Sequence, residues 1–325
     1  MINHNYPWLI DSWRQLEEML DRLPHAILIH GPRGTGKRAL AERFAQRLLC
    51  ERASDAPCGE CEGCRWFVAG THPDFRPVEP ESMARAQMGS DDEDVPASAA
   101  KAGKPSTEIK IEQIRGLDGF LTLRSHRGGR RVALVHPAED MNANAANALL
   151  KGLEEPPGSA LFLLVSHRPA RLLPTVRSRC VRMSIGMPDR QQASEWLASQ
   201  GVKEPEAWLS YASGAPLEAL SLAQGAGAPV ARLRKAILEG ELEMLRGVSD
   251  RESVEALAEA LQKYALDRAL ASYGGQGKYG KAPASRTGLA WLRYARRMGR
   301  DRALARHPLN PRLFAEEMLA GLPEE

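Results

Sequence analysis

The chain has 325 residues, of which 43% are hydrophobic and 26% are charged. Its 44 lysines and arginines and 41 acidic residues leave a net charge of +3. This length predicts two or three domains, and the composition excludes a disordered, fibrous or strongly polycationic protein. Any contact with DNA must therefore be local. The N-terminus has no basic segment followed by an apolar one, and no apolar run approaches the roughly 18 residues of a membrane span. We expect an intracellular, cytoplasmic protein with no membrane contact.

The first 185 residues alternate between strand and helix patterns. Apolar runs predict strands at Ala26–His30, Phe75–Val78, Arg131–His136, Leu161–Ser166 and Val181–Ile185. Helical spacing predicts helices at Ser12–Leu23, Arg38–Cys50, Ile109–Leu123 and Asn142–Leu153. Continuous apolar runs are typical of strands covered on both faces, which favours an α/β domain with a parallel sheet. The stretch Glu81–Thr107 is rich in Ala, Ser and acidic residues and has no apolar periodicity, so we expect it to form a mobile surface insertion.

The strand patterns stop after Met187-Pro188, and everything downstream has helical spacing interrupted by Gly and Pro. A short helical segment ends near the GAGAP sequence that begins at Gly225, and a longer one follows, interrupted by the Gly-rich stretch Ser272–Lys281. We therefore predict three domains, at residues 1–185, 186–226 and 227–325.

A glycine-rich loop follows the first predicted strand. Gly31, Gly34, Gly36 and Lys37 belong to the sequence GPRGTGK, which matches G-x-x-x-x-G-K between a strand and a helix. In this context backbone N–H groups converge on phosphate oxygens, and the lysine adds a positive charge. The next position normally holds a Ser or Thr that coordinates Mg²⁺, but here it is Arg38, which has no acceptor atom.

The acidic residue of a nucleotide-hydrolysing site is also missing from its usual position. The strand beginning at Arg131 ends in His136-Pro137, and neither residue can hold Mg²⁺ or polarise the attacking water as a carboxylate would. Glu139 and Asp140 lie a few residues beyond, and a shift in register could bring one of them into the acidic position. This is the minor alternative, because Pro137 ends the strand and places both residues on the following turn. Two interpretations remain open: the loop binds an anion or a nucleotide without hydrolysis, or it is a retained turn that only joins a strand to a helix.

Four of the five cysteines are clustered. Cys50, Cys58, Cys61 and Cys64 have the spacing C-x7-C-x2-C-x2-C. Two overlapping C-x2-C steps let four thiolates converge on one tetrahedral ion, and four sulfur ligands leave no open coordination position, so we predict a structural zinc site. A redox C-x-x-C motif and simple buried thiols are the alternatives, and neither explains four cysteines in fifteen residues. We expect Cys180 to be a small buried residue.

The C-terminal region is rich in arginine. Between residues 286 and 312 only Asp301 is acidic, and the arginines are Arg286, Arg293, Arg296, Arg297, Arg300, Arg302, Arg306 and Arg312. Helical spacing places Trp291, Tyr294 and Met298 on a separate, apolar face. Two interpretations of the arginines are open: they contact nucleic-acid phosphate or an acidic partner, or they form a solvated face. The lack of neighbouring aromatic residues suited to base stacking disfavours DNA binding.

Six segments of the chain carry a resemblance to a known protein family. In chain order they are GPRGTGK, HPDFRPVEP, IKIEQIR, GGRRVALVHPAEDMNANAANALLKGLEEPP, FLLVSHRPARLLPTVRSRC and NPRLFAEEML. Together with the cysteines, they resemble the delta-prime family of bacterial DNA polymerase III clamp-loader subunits, most densely from Gly31 to Cys180. The resemblance implies an AAA+ P-loop-type domain with an inserted zinc module at 50–64, a small helical lid domain and an all-α collar domain that oligomerises. It also implies a cytoplasmic hetero-oligomer within the DNA-directed DNA polymerase III holoenzyme, a nucleotidyltransferase complex.

Three positions separate this chain from the ATP-hydrolysing gamma and tau relatives. In the phosphate loop those motors have Lys-Ser or Lys-Thr, where this sequence has Lys37-Arg38. At the end of the later strand they have Asp-Glu, where this sequence has His136-Pro137. In the lid they have an arginine, where this sequence has Leu217. The resemblance therefore implies a subunit that does not hydrolyse ATP with Mg²⁺. It further implies that Arg179, in Ser178-Arg179-Cys180, reaches the ATP site of an adjacent motor subunit, whereas without the resemblance Arg179 would be interpreted as a solvated or ion-paired residue at a turn.

The function predicted from the sequence is that of a non-catalytic clamp-loader subunit. Its expected partners are the gamma or tau and delta subunits, the sliding clamp and primed DNA, with Lys110 and Arg115 as candidate phosphate contacts. One alternative is an active gamma- or tau-type AAA+ motor, and another is a zinc-containing nucleic-acid-binding module that acts alone.

Overall fold

A computed structural model describes residues 6–52, 56–88, 105–123, 125, 129–225, 251–275, 288–305 and 310–323. The chain forms two compact units that divide between Gln192 and Ala193. No helix in these ranges is both long and apolar enough to cross a membrane. The predictions for 89–104 and 276–281, and those for Arg286 and Arg306, lie outside the described residues.

A parallel sheet of five strands organises the first unit, in the spatial order β2-β3-β4-β1-β5. The strands are β1 (Ala26–His30), β2 (Phe75–Val78), β3 (Arg131–Val135), β4 (Ala160–Ser166) and β5 (Val181–Ser184). Each predicted strand is present with ends within one residue of those expected, and the α/β class with a parallel sheet is confirmed.

Helices cover both faces of this sheet. The helices of this unit are α1 (Ile10–Glu18), α2 (Lys37–Leu49), α3 (Glu62–Val68), α4 (Glu81–Met88), α5 (Ile111–Thr122), α6 (Ala143–Glu154) and α7 (Pro174–Ser178). The stretch that was predicted to be a mobile surface insertion begins with eight residues that form a helix, α4, which the sequence pattern did not predict. The Glu81 carboxylate accepts a hydrogen bond from the Ser106 N–H and pairs with Lys110, so it links the start of α4 to the start of α5.

The alternation of side chains along the strands divides the core into two layers. Leu28 of β1 packs into the layer with α5, α6 and α7, whereas Ile27 and Ile29 pack into the layer with α1 and α2. The central strand β4 follows the same rule and is buried at all seven positions. Strands with no solvent-facing side must be apolar on both faces, which is why their sequences are continuous apolar runs.

The second unit is helical in the described residues. Its helices are α8 (Arg190–Ser199, which begins in the first unit), α9 (Pro205–Tyr211), α10 (Pro216–Gln224), α11 (Arg251–Ser272), α12 (Gly288–Leu304) and α13 (Pro311–Ala320). One apolar cluster lies among α8, α9 and α10, and a larger one involves α11, α12 and α13. Trp291, Tyr294 and Met298 are buried in the larger cluster, as their spacing predicted. The boundaries 185/186 and 226/227 and the assignment of lid and collar remain predictions.

Candidate functional site

The glycine-rich loop joins β1 to α2 at the carboxyl edge of the parallel sheet, the edge where ligands bind in open α/β folds. Gly31, Gly34 and Gly36 all have positive φ angles, of 148°, 75° and 87°. A Cβ atom on Gly31 would lie 1.9 Å from the Ile185 carbonyl oxygen, so only glycine fits there. The sequence therefore builds the turn that a phosphate-binding loop requires.

The lysine of the loop is folded back onto the loop itself. Lys37 is buried, and its ammonium group donates to the Pro32 carbonyl and lies 3.4 Å from the Thr35 hydroxyl oxygen. Burial lowers the pKa of Lys37 to about 8. In this arrangement Lys37 closes the loop, and binding a phosphate would require the ammonium group to exchange the Pro32 carbonyl for the ligand.

An aromatic pair from the N-terminal segment holds the loop from its other side. The Trp8 indole N–H donates to the Thr35 carbonyl at 2.9 Å, and the Tyr6 ring stacks on Trp8 with centroids 5.4 Å apart. A Cβ atom on Gly36 would lie 2.8 Å from the Tyr6 ring. Sequence reasoning did not find these two residues, because a contact between positions 27 residues apart leaves no periodic pattern.

Arg38 occupies the position where a motor has its magnesium-binding hydroxyl, and it is held by two carboxylates. Its Nε lies 2.7 Å from Oε1 of Glu42 on α2, and its Nη1 lies 3.0 Å from Oε2 of Glu79, just beyond β2. The guanidinium therefore ties α2 to the edge of the sheet. A cation is fixed where a hydrolytic site would hold Mg²⁺, which agrees with the chemical argument from the sequence.

Two histidines lie where acidic and polar groups of a hydrolytic site would be expected. His136 follows β3 and His167 follows β4, and their Nε2 atoms are 3.3 Å apart. Burial, followed by His167 and the nearby Arg38, lowers the pKa of His136 to about 3. The predicted turn is present over Ala138–Asp140, and the Glu139 carboxylate accepts the backbone N–H of His167 at 2.9 Å. The residue after β3 is thus a neutral imidazole.

The buried imidazole predicts a specific dependence of stability on pH. Native His136 stays neutral well below pH 6.5, whereas an unfolded histidine gains a proton near 6.5. The contribution of neutral His136 to the free energy of unfolding is therefore fully present above pH 6.5 and is lost as the pH falls from 6.5 toward 3. At pH 5.5 the loss from this group is about 1.4 kcal/mol. In urea unfolding, the decrease in free energy from pH 7.5 to 5.5 should be larger by this amount in the wild type than in His136→Gln. Equal decreases would contradict the buried neutral state.

The four clustered thiols converge in the segment between α2 and α3. Their sulfur atoms all lie within 4.8 Å of one another and could hold a metal ion such as zinc. For a metal–sulfur bond of about 2.3 Å, tetrahedral geometry places sulfur atoms about 3.8 Å apart. The distance is 3.5 Å between Cys50 and Cys58, 3.9 Å between Cys50 and Cys61, and 4.0 Å between Cys58 and Cys64. The thiol set therefore fits a tetrahedral ion.

Local backbone structure brings these thiols together. Cys61 is the N-cap of α3, where its sulfur accepts the Cys64 N–H, and Cys58 in turn accepts the Cys61 N–H. This backbone donor is the leading reason that the pKa of the Cys58 thiol falls to about 6. Gly63 lets α3 approach α2 closely, because a Cβ there would lie 2.6 Å from the Leu49 carbonyl oxygen. Backbone N–H donors stabilise the thiolate form of cysteine, and the thiolate is the form that binds a metal ion.

Arg179 lies at the end of α7 and is about one-third exposed. Its Nη1 donates to the Thr175 carbonyl at 3.0 Å, and its Nη2 lies 2.6 Å from Oε1 of Glu154, the last residue of α6. The next residue, Cys180, is buried, and its thiol donates to the Val176 carbonyl, as expected for a residue that anchors the turn. The guanidinium therefore lies at the surface with a defined orientation.

The remaining predicted contacts lie on helix surfaces. Lys110 pairs with Glu81 at 2.9 Å, and Arg115 is exposed on α5. On α12, Arg293, Arg296 and Arg300 are exposed, whereas Arg297 pairs with Glu317 of α13 at 2.9 Å. Arg302 pairs with Glu259 of α11 at 2.6 Å. Part of the arginine-rich stretch therefore ties the helices of the second unit together, which sequence periodicity alone could not distinguish from a solvated face.

A glycine-rich loop between a buried strand and a helix, at the carboxyl edge of a five-stranded parallel sheet, defines a P-loop-type α/β domain. Residues 11–189 match the family described as "DNA polymerase III, delta subunit". The chain is 43% identical over 246 residues to DNA polymerase III subunit delta' of Pseudomonas aeruginosa, which covers 74% of this chain and 67% of the relative. The chain belongs to this DNA polymerase III subunit family.

A second relative is consistent with this membership, and a solved structure shares the fold. DNA polymerase III subunit delta' of Escherichia coli strain K12 is 33% identical over 226 residues, which make up 68% of this chain and 61% of that protein. The fold is similar to that of a DNA polymerase III gamma subunit-related protein of Thermotoga maritima. The TM-score of that match is 0.54 at 19% identity, and it covers 95% of this chain and 98% of the other.

Proposed function

We propose that the chain is a non-catalytic subunit of a DNA polymerase III clamp loader and supplies Arg179 in trans to the ATP site of a neighbouring motor subunit. The observation that carries this proposal is the contrast between two sites. At the chain's own loop, Arg38 and His136 replace the groups that bind Mg²⁺ and polarise water, and both are held by neighbouring side chains. At the surface, Arg179 presents a permanently charged guanidinium in a fixed orientation.

The proposed chemistry of Arg179 follows from its charge and shape. A planar guanidinium pairs with phosphate oxygens and stabilises the negative charge that develops on a transferring γ-phosphoryl group. Hydrolysis would take place on the neighbouring subunit, which would provide the phosphate loop, Mg²⁺ and the attacking water. This chain would have no ATPase activity of its own and would contribute to clamp loading as a member of the assembled complex.

We further propose that Cys50, Cys58, Cys61 and Cys64 hold one structural Zn²⁺. The fit of their sulfur separations to a tetrahedral ion supports this assignment. Four sulfur ligands leave no position for water or substrate, so the ion would stabilise the segment between α2 and β2 without taking part in chemistry.

The proposed partners are the gamma or tau and delta subunits, the sliding clamp and primed DNA. Residues 186–226 would form the lid domain and residues 227–325 the oligomerising collar domain. Lys110 and Arg115 are the proposed phosphate contacts, and reversal of both charges should weaken binding of the assembled loader to primed DNA. Unchanged affinity at fixed salt would exclude them as contacts.

An active motor is the second candidate, and one observation favours it: the Glu139 carboxylate lies near Lys37, where its charge partly offsets the lowering of the Lys37 pKa by burial. Two measurements separate the candidates. The tagged chain should copurify from its own cells with the other loader subunits and stoichiometric zinc, and the isolated chain should not turn over Mg²⁺-ATP. Magnesium-dependent ATP turnover by the isolated chain would establish the motor and overturn our proposal.

A further inference from the structure

The guanidinium of Arg179 is held at two different nitrogens by two different helices. Nη1 donates to the Thr175 carbonyl of α7, and Nη2 contacts the Glu154 carboxylate at the end of α6. A bond at one nitrogen alone would leave the guanidinium plane free to turn about that bond. The second contact fixes the plane. Because a guanidinium has five N–H donors, these two contacts leave three for a phosphate.

Glu154 is carried by a rigid part of the fold. The last turn of α6 lies directly against β4, since a Cβ atom on Gly152 would be 2.9 Å from the Phe162 ring. Leu153 is buried in the same layer of the core. The carboxylate therefore projects from a fixed helix end rather than from a loop, and the position that it imposes on Arg179 is set by the core.

The exposure of this ion pair argues against a role in stability. The Arg179 side chain is 35% exposed and the Glu154 side chain is 50% exposed. Ion pairs with this much solvent access contribute little to folding. The short separation of 2.6 Å nevertheless gives a strong, directional hydrogen bond. What the pair does set is the orientation of a guanidinium at the surface.

We propose that Glu154 is a positioning residue that pre-orients the Arg179 finger for the γ-phosphate of a neighbouring subunit. This inference rests on the proposed role of Arg179 in trans. A transition-state contact is effective only when its donors are already placed, because an arginine that must be ordered during the reaction loses part of its stabilising effect. Glu154 touches no substrate and acts only through Arg179.

The test uses the reconstituted loader, with the motor sites that Arg179 does not touch inactivated, and its ATPase activity stimulated by clamp and primed DNA. Glu154→Ala should lower kcat about tenfold and leave KM for ATP unchanged, because ATP is bound by the neighbour. Glu154→Gln should restore most of kcat, since its amide oxygen still accepts from Nη2. Glu154→Asp keeps the charge but is one methylene too short, so it should be as slow as Glu154→Ala. Glu155→Ala, at the adjacent exposed glutamate, is the matched control and should match the wild type.

A double-mutant cycle distinguishes positioning from a general structural effect. In the Arg179→Ala background, Glu154→Ala should cause no further loss of kcat. An equal loss in both backgrounds, or no loss in the wild-type background while Arg179→Ala is slow, would overturn the role of Glu154 and leave the finger intact. If Arg179→Ala itself left kcat unchanged, the proposed function would fail instead.

Discussion

Arg179→Ala should lower ATP hydrolysis by about a thousandfold or more at the site that Arg179 completes, which is the range found for arginine fingers generally. The loss should appear in kcat of the reconstituted loader stimulated by clamp and primed DNA. The reason is that the guanidinium contacts charge that develops in the transition state, whereas ATP itself is bound by the neighbouring subunit. KM for ATP should therefore change little. The measurement uses loaders in which the motor sites that Arg179 does not touch are inactivated, so that kcat reports only the site that Arg179 completes.

Arg179→Lys is the informative control for this experiment. Lysine keeps the charge but lacks the planar fork that lets Nη1 and Nη2 be held by Thr175 and Glu154 while other donors face outward. We expect Arg179→Lys to recover only a small part of the lost rate. A loader that assembles with Arg179→Ala and hydrolyses ATP at the wild-type rate would contradict the role in trans.

Loss of the metal should have the second large effect. Cys64 is fully buried at the start of α3, so its sulfur would bind the proposed ion on the side that faces away from solvent. Cys64→Ser should abolish stoichiometric zinc and unfold the segment around residues 50–64, because the binding energy of a structural zinc, about 10 kcal/mol or more, is also folding energy. Metal content by mass spectrometry and hydrogen exchange across this segment are the measurements.

The fifth cysteine provides the matched control for the metal site. Cys180→Ser alters a thiol that is also buried but lies in the turn after Arg179, outside the cluster. It should retain one zinc per chain. Wild-type protein that carries no metal, or that links the clustered cysteines as disulfides, would contradict the structural zinc site.

The sequence predicts those features whose physical cause is local. The three inner strands β1, β3 and β4 are predictable because they are buried on both faces and must be largely apolar. The glycine-rich loop is predictable because backbone conformations such as that of Gly36, at a φ of 87°, favour glycine. The thiol cluster is predictable because C-x2-C spacing brings sulfur atoms together through the first turn of one helix. The helix α4 was missed because it has only eight residues and lies in a stretch rich in Ala, Ser and acidic residues that shows no apolar periodicity as a whole.

Features that depend on distant parts of the chain were not predictable. Arg38 could be excluded as a metal ligand from its chemistry, but its pairing with Glu79, 41 positions away, exists because the fold brings the residue after β2 next to the start of α2. The contact between His136 and His167 exists because β3 and β4 are neighbours in the sheet. The contact between Glu154 and Arg179 likewise depends on how α6 and α7 pack. Only the fold brings these pairs together.

The most direct test of our central proposal is clamp loading onto primed DNA by loaders assembled with and without this chain, measured alongside ATP turnover by the isolated chain. We expect loading to require the chain, and we expect the isolated chain to show no magnesium-dependent ATP turnover. Undiminished loading without the chain, or ATP turnover by the chain alone, would contradict a non-catalytic clamp-loader subunit.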